Sequence, residues 1–183
     1  MADETSKKKL HEYVAQYYPQ YHTIEHYPAD KCAVVHKLEE EWGIFSNFAH
    51  TPITVEGVVY DTSERLFQVS KMNCDEARKL VYEKKGNPKM TAKHIAKEHP
   101  EWVRKDWYQT FIDVMRWCLE LKYQQSEEFR EALRRSEGLF IVEDQTNFSK
   151  KHADTWGTKR EGDEFVGPNL LGRLLMELRE SHK

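Results

Sequence analysis

Cysteine is scarce in this 183-residue sequence, and the three present, Cys32, Cys74 and Cys118, are odd in number and far apart. That spacing excludes a disulfide framework and sets the expected compartment as reducing and cytoplasmic. Long apolar runs are missing too. None approaches the roughly 20 residues of a membrane span, so no membrane partner is expected. Met1–Leu10 is polar and lysine-bearing, with no apolar stretch behind it. It is expected to carry no secretory signal. The sequence has no G-x-G-x-x-G dinucleotide fingerprint and no G-x-S-x-G nucleophile elbow. Gly157-Thr-Lys-Arg-Glu-Gly162 begins like a phosphate loop, but Asp163-Glu164 stand where that chemistry needs a lysine and a hydroxyl. His22-Thr-Ile-Glu-His26 matches one zinc-peptidase pattern, yet Pro19 and Pro28 leave barely two turns around it. With no other ligand set at suitable spacing, neither a metal nor a cofactor is expected.

What is present is enough for one folded unit. The length suits a single domain, and five Trp, nine Tyr and eight Phe argue against disorder. The formal net charge of −3 hides a gradient, because residues 78–135 carry 14 basic and 9 acidic groups while every other stretch is acidic. A basic block of this kind fits either phosphate or nucleic-acid binding or a pair of solvated helix faces.

Hydrophobic spacing predicts a mostly α domain with a small β-sheet, an α+β fold. Residues 1–30, rich in tyrosine and broken by Pro19 and Pro28, form an N-terminal extension packed on a main domain of residues 31–183. Cys32–Val35 suits a buried strand, and Thr54–Tyr60, β-branched around Gly57, suits a bent strand or hairpin. Helices are expected from Glu64 to Asn73, from Asp75 to Gly86, from Thr91 to Pro100 and over 107–124. Ser126 caps the next one, which stops before Gly138. A strand over 139–143 and a long polar loop to Gly167 follow. The last helix opens at Pro168 or Asn169.

Three stretches carry chemistry. In a helix over 64–74, Glu64 and Lys71 are seven apart and only about 20° apart in azimuth. Gln68 lies about 40° round from Glu64, and Phe67 borders the same face. This polar stripe is either a reaction centre or an ordinary exposed face or ion pair. In Asp154-Thr-Trp-Gly157 a carboxylate stands two residues before Trp156, an anchor beside a stacking surface suited to a base or a sugar. In Gly167-Pro-Asn-Leu-Leu-Gly172, the free amides after Asn169 could hold a phosphate, while the leucines suit a core helix.

Together these stretches, with Phe45-Ser-Asn-Phe48, resemble the NADAR family, also called YbiA-like. Arg104-Lys-Asp-Trp107, Met115, Lys122, Glu143 and Leu175-Met176 stand where that family places them, and the resemblance spans roughly residues 31–180. It implies an N-glycosidase that breaks a bond from ribose C1 to nitrogen. The substrate implied is either ADP-ribosylated guanine in nucleic acid, the product of a modifying toxin, or a ribosylated pyrimidine of riboflavin synthesis. The basic block and the long 144–166 loop favour the larger, phosphate-rich substrate, an ADP-ribosylated nucleic acid or nucleotide. A binding module that holds ADP-ribose without cutting it is the rival from another class. The resemblance suggests a Schiff base between Lys71 and the opened ribose, with Glu64 shuttling a proton or orienting ribose hydroxyls. Asp154 would hold the ribose or activate water. Trp107 and Trp156 are stacking candidates, Asn47 and Asn169 candidates for the diphosphate or the base, and Gln68, Arg104 and Gly157 further substrate contacts. Lys71 can attack only as a free amine, so burial or a cationic neighbour must lower its pKa from about 10.4.

Overall fold

The computed structural model describes residues 8–183. The first seven residues of the polar Met1–Leu10 stretch, and of the segment set apart as an extension, therefore lie outside the described residues. The helices are α1 (Leu10–Tyr17), α2 (Ser63–Ser70), α3 (Asp75–Glu83), α4 (Pro88–Glu98), α5 (Trp107–Gln125), α6 (Glu127–Arg135) and α7 (Leu170–Ser181). The strands are β1 (Glu25–Pro28), β2 (Cys32–Val35), β3 (Ile53–Val55), β4 (Val58–Tyr60), β5 (Phe140–Glu143), β6 (Lys159–Glu161) and β7 (Glu164–Gly167).

The strands form three small sheets in place of one. β2 and β5 pair in parallel, β3 and β4 make a hairpin, and β1, β7 and β6 form an antiparallel sheet in that order. The β3–β4 turn places Glu56 and Gly57 at φ 49° and 82°, both left-handed, as a tight two-residue hairpin turn demands. β6 and β7 occupy the segment expected to be a polar loop. Their turn is Gly162-Asp163, with Gly162 at φ 60°. Lys159-Arg-Glu161 has no apolar side chain, so the strand is made by its pairing with β7 and not by a hydrophobic pattern.

α5 is the spine of the core. Its Trp107, Phe111, Ile112, Met115, Cys118 and Leu119 are buried, and they meet Leu170, Leu171, Leu174, Leu175 and Leu178 of α7. Each such side chain contributes about 1.5–3 kcal/mol on burial, enough for these two helices to fix the centre of the domain. A smaller cluster of Val69, Met72, Ala77, Val81, Ala92 and Ile95 joins α2, α3 and α4. Arg65 ties that cluster together. Its guanidinium pairs with Asp61 at 2.6 Å and donates to the carbonyls of Val81 in α3 (2.8 Å) and of Lys84 (3.1 Å) and Gly86 (3.3 Å) beyond it.

Residues 10–28 are built into the same body. Val14, Tyr18 and Tyr21 belong to the main core, and β1 pairs with β7. The Tyr18 hydroxyl donates to the Gln109 carbonyl at 2.6 Å, and that of Tyr21 to Glu177 at 2.8 Å. His22 ends a single 3-10 turn while Glu25 and His26 lie in β1, so the H-x-x-E-H residues share no helix face. Among the described residues no helix is long and apolar enough to cross a membrane.

Candidate active site

α2 begins with Thr62 as its cap, whose hydroxyl accepts the Arg65 N–H at 3.1 Å. The helix start is also fastened to the 45–48 loop. The Glu64 N–H donates to the Asn47 carbonyl at 2.9 Å, and the Ser63 hydroxyl donates to the Asn47 side-chain oxygen at 3.0 Å. Lys122 of α5 fixes that loop from behind. Fully buried, it donates to the carbonyls of Ile44 (2.7 Å) and Ser46 (3.0 Å) and lies 4.8 Å from the Phe129 ring centroid. Burial pushes its amine down to about 7.

Glu64 is only 5% exposed and accepts a hydrogen bond from Gln68 at 2.8 Å. Burial raises its pKa, opposed by that hydrogen bond and by Lys89 and Lys71. Lys71 is half-buried. Burial lowers its pKa and Glu64 opposes the shift. Among the described residues no carboxylate forms an ion pair with Lys71. Glu64 therefore acts on it through space, without the contact that would lock the ammonium in its charged form. Lys71 caps the end of α2, and the helix stops three residues short of Asn73. There the chain turns away to bond residues 102–104. Arg104 N–H donates to the Lys71 carbonyl at 3.0 Å and Asn73 N–H to that of Trp102 at 2.9 Å.

The second wall comes from β5 and the loop behind it. Gln145 donates to Asp154 Oδ1 at 2.6 Å and lies 3.4 Å from Glu143 Oε2. Its own carbonyl accepts the Asp154 N–H at 2.8 Å. Asp154 Oδ1 also accepts the Trp156 N–H at 2.8 Å. A Cβ on Gly157 would stand 2.6 Å from Gln145 Cδ, so Gly157 is a glycine to let this amide in. Burial, then Asp154 and, less, Glu64, raise the Glu143 carboxyl to about 8. Lys89, near the start of α4, opposes the rise at both Glu143 and Glu64. Glu64, Glu143, Asp154, Lys71 and Lys89 thus form one electrostatic cluster. Lys89 carried no sequence signal beyond its place in the basic block, and Glu143 only its place in the resemblance.

Other expected contacts are placed differently. The amides that open α7 are not free for phosphate, because those of Asn169, Leu170 and Leu171 donate to the carbonyls of Gly157, Thr155 and Trp156 at 3.0–3.1 Å. The Asn169 side chain is fully buried and bridges the Ile141 carbonyl (2.8 Å) and the Glu143 N–H (3.1 Å). Both ends of its side-chain amide are occupied, so it joins β5 to α7. The Asn47 oxygen is held by Ser63, and its NH₂ lies 3.4 Å from Met115 Sδ. Arg104 is paired to Asp106 at 2.8 and 3.0 Å and donates to the Ser70 carbonyl, so it ties down the end of α2. Trp107 is 4% exposed and packs on Phe67 at 4.9 Å, which leaves it a core residue. Trp156 remains half-buried, edge-on to Phe67 and Phe111 at 5.9 Å, at the border between the core and the cluster. Beside Asp154 a surface pocket of about 360 Å³ is lined by Gln145, Phe148, Ser149, Lys150 and His152.

This arrangement has known counterparts. The model of the NADAR domain matches residues 4–182. N-glycosidase YbiA of Escherichia coli is 32% identical over 157 residues, covering 86% of this chain and 92% of the relative. The riboflavin biosynthesis protein VVA0006 of Vibrio vulnificus is 29% identical over 143 residues, which cover 78% of this chain but 36% of that protein. The chloroplastic riboflavin biosynthesis protein PYRR of Zea mays is 32% identical over 157 residues, 79% of this chain and 24% of that protein. The NMR structure of E. coli YbiA superimposes with a TM-score of 0.66 at 33% identity, covering 84% of this chain and 85% of that one. With the α+β fold, the Glu64-to-Lys71 segment and the Asp154-x-Trp-Gly157 loop in place, the chain belongs to the NADAR family.

Proposed function

We propose that the protein is an N-glycosidase that cleaves the bond between ribose C1 and a base nitrogen, releasing ADP-ribose from ADP-ribosylated guanine in nucleic acid. It does so in the reducing cytoplasm its cysteines imply, without a metal or other cofactor. The observation that carries the reading is Lys71, an amine lowered by burial and without a carboxylate contact among the described residues, in the field of Glu64, which in turn lies near Glu143. Such an amine can bond C1 of the sugar as the base departs and open the ring to an imine, which water then hydrolyses. Glu64, held by Gln68, orients the ribose hydroxyls or moves a proton between them. Asp154, held by Gln145 and the Trp156 amide, binds the ribose or aligns the water. Trp156 borders the sugar. The relative's name, N-glycosidase, supports the bond class.

Two features favour the larger substrate. The pocket beside Asp154 adds the exposed Phe148 ring, Lys150 and His152, suited to a base and a phosphate. Lys89, Lys93 and Lys97 recur every fourth residue along the exposed side of α4, with Lys89 near the carboxylates. The names of the riboflavin relatives support a second reading, hydrolysis of a ribosylated aminopyrimidine.

The test is turnover of an ADP-ribosyl-guanine oligonucleotide beside turnover of the ribosylaminopyrimidine, with borohydride added to each. Release of ADP-ribose and a reduced ribose adduct mapped to Lys71 are expected, together with loss of nearly all turnover in Lys71→Ala and Lys71→Arg. Arginine keeps the charge but forms no imine at neutral pH. An active Lys71→Arg enzyme without any adduct would replace the amine by an activated water. Binding of ADP-ribose with no turnover at all would leave a binding module.

A further inference from the structure

The cluster holds three carboxyl groups, and the proposed chemistry gives a defined task to two of them. Their surroundings differ. Asp154 Oδ1 accepts two N–H donors, from Gln145 and Trp156, at 2.6 and 2.8 Å. Glu64 accepts Gln68 at 2.8 Å and lies in the fields of Lys71 and Lys89. Among the described residues Glu143 Oε2 accepts one long hydrogen bond, at 3.4 Å, from the Gln145 amide, whose other N–H serves Asp154 at 2.6 Å. Its backbone, by contrast, is fixed. The Glu143 N–H is held by Asn169 at 3.1 Å, and its carbonyl by the N–H (2.7 Å) and hydroxyl (2.9 Å) of Thr158. The side chain is thus a carboxyl on a rigid strand end, holding a single long hydrogen bond, in the same cluster as the two carboxylates proposed to meet the sugar.

We infer that Glu143 is a further catalytic residue, the acid that protonates the departing base nitrogen. The inference rests on the N-glycosidase reading above. As the C1–N bond breaks, its electron pair goes to the base nitrogen. The Glu143 O–H bond breaks and its proton completes the N–H of the leaving base, while C1 bonds the Lys71 nitrogen. The water that later frees the sugar supplies the hydroxyl on C1, and its proton returns to Glu143. Over one turnover the water is divided between ribose and base, and no oxidant or other co-reactant is needed.

The groups around Glu143 set when it carries that proton. Burial, Asp154 from the following loop and Glu64 from α2 all disfavour its negative charge, and together they outweigh Lys89 from α4 and the Gln145 hydrogen bond, which favour it. Asp144, the next residue, pairs with His36 at 3.6 Å. A carboxyl raised to about 8 is protonated at neutral pH and can donate.

The test compares two leaving groups on the same sugar. One is the guanine base, which needs a proton to leave; the other is p-nitrophenolate, which leaves as an anion. For the wild-type enzyme kcat on the guanine substrate is expected to fall at alkaline pH with a midpoint near that of Glu143. The nitrophenyl substrate should lack this limb. Glu143→Gln is expected to lower kcat on guanine about 100-fold or more with KM little changed, and to leave the nitrophenyl substrate within a few-fold. Equal losses on both substrates, or a guanine rate within threefold of wild type, would overturn the assignment. So would an alkaline limb shared by both substrates in the wild-type enzyme, a comparison that needs no variant to fold. A wild-type enzyme that turns over neither substrate would instead overturn the N-glycosidase reading, and this inference with it.

Discussion

Lys122→Met isolates the effect of a charge placed where water cannot reach it. Methionine keeps most of the stem volume on α5 and removes the amine that holds the Ile44 and Ser46 carbonyls. In the folded protein this amine titrates at about 7, against an ordinary lysine value of 10.5. Below pH 7 the folded and unfolded chains are both protonated. Between these two values the unfolded chain binds more protons, so wild-type stability rises with pH in that window. At about 1.4 kcal/mol per pK unit, and with half the amine already neutral at pH 7, the gain from pH 7 to pH 9 is about 2 kcal/mol. Urea unfolding of wild type and variant at half-unit steps from pH 6 to pH 10 measures it, because all other titrations cancel in the difference. The difference should climb by that amount. A difference flat within about 0.5 kcal/mol would refute the reasoning and show that the two carbonyls keep the ammonium charged despite its burial. The variant also leaves two carbonyls unpaired, a loss of about 1–3 kcal/mol each if they stay dry. It loosens Asn47 as well, so kcat should fall with no change in the residues that meet substrate.

Gly172→Ala would put a Cβ 2.0 Å from the Ile141 carbonyl oxygen, and thermal unfolding is expected to show a loss at or above the roughly 3 kcal/mol seen for overpacked cores. In Gly157→Ala the nearest atoms to the new Cβ are all on the movable Gln145 side chain, at 2.6–2.8 Å, so it should fold with nearly wild-type melting and lose up to about 100-fold in kcat through a displaced Asp154 and Glu143. Neutralising Lys93 and Lys97 together should reduce the salt dependence of kcat/KM on a modified oligonucleotide by about 0.7 log units per log salt for each lysine, leaving a modified mononucleotide unaffected. Tyr21→Ala, which empties a core site 3% exposed, should cost about 3–5 kcal/mol in urea unfolding and leave kcat intact, since no side chain of the catalytic cluster comes from that segment.

The helices were legible because their faces repeat. The α5 pattern of Phe111, Met115 and Cys118 and the leucines of α7 fall in the core where the spacing puts them. Ser126 is a cap, its hydroxyl accepting the Phe129 N–H at 3.1 Å. β1, β6 and β7 were not legible. Only Tyr27 and Phe165 of that sheet are buried hydrophobics, and its pairing is decided by residues some 140 positions apart. The start of α4 at Pro88 was missed although Asn87 carries the signal, its side chain accepting the Lys89 and Met90 amides at 2.9 and 3.3 Å. In the site, the pairing of Glu64 with Gln68 follows from helix geometry, and Lys71 remains near that carboxylate although the helix ends at Ser70. The roles of Asn169 and Arg104 were not readable, because a polar side chain committed to a distant backbone group looks the same in sequence as one kept for a ligand. Their partners, Ile141 and Ser70, lie 28 and 34 residues away.

The Asn169 joint also bears on the order in which the molecule is made. β2, α2 and α5 are synthesised well before β5, yet the end of β5 and the Asp154–Gly157 loop are both held by the opening residues of α7. At about 5–20 residues per second, a ribosome adds Glu143 and Asp154 before the residue that fixes them. Lys71 and Glu64 thus come together on α2 before Glu143 and Asp154 are set, and the cluster becomes complete only when α7 docks.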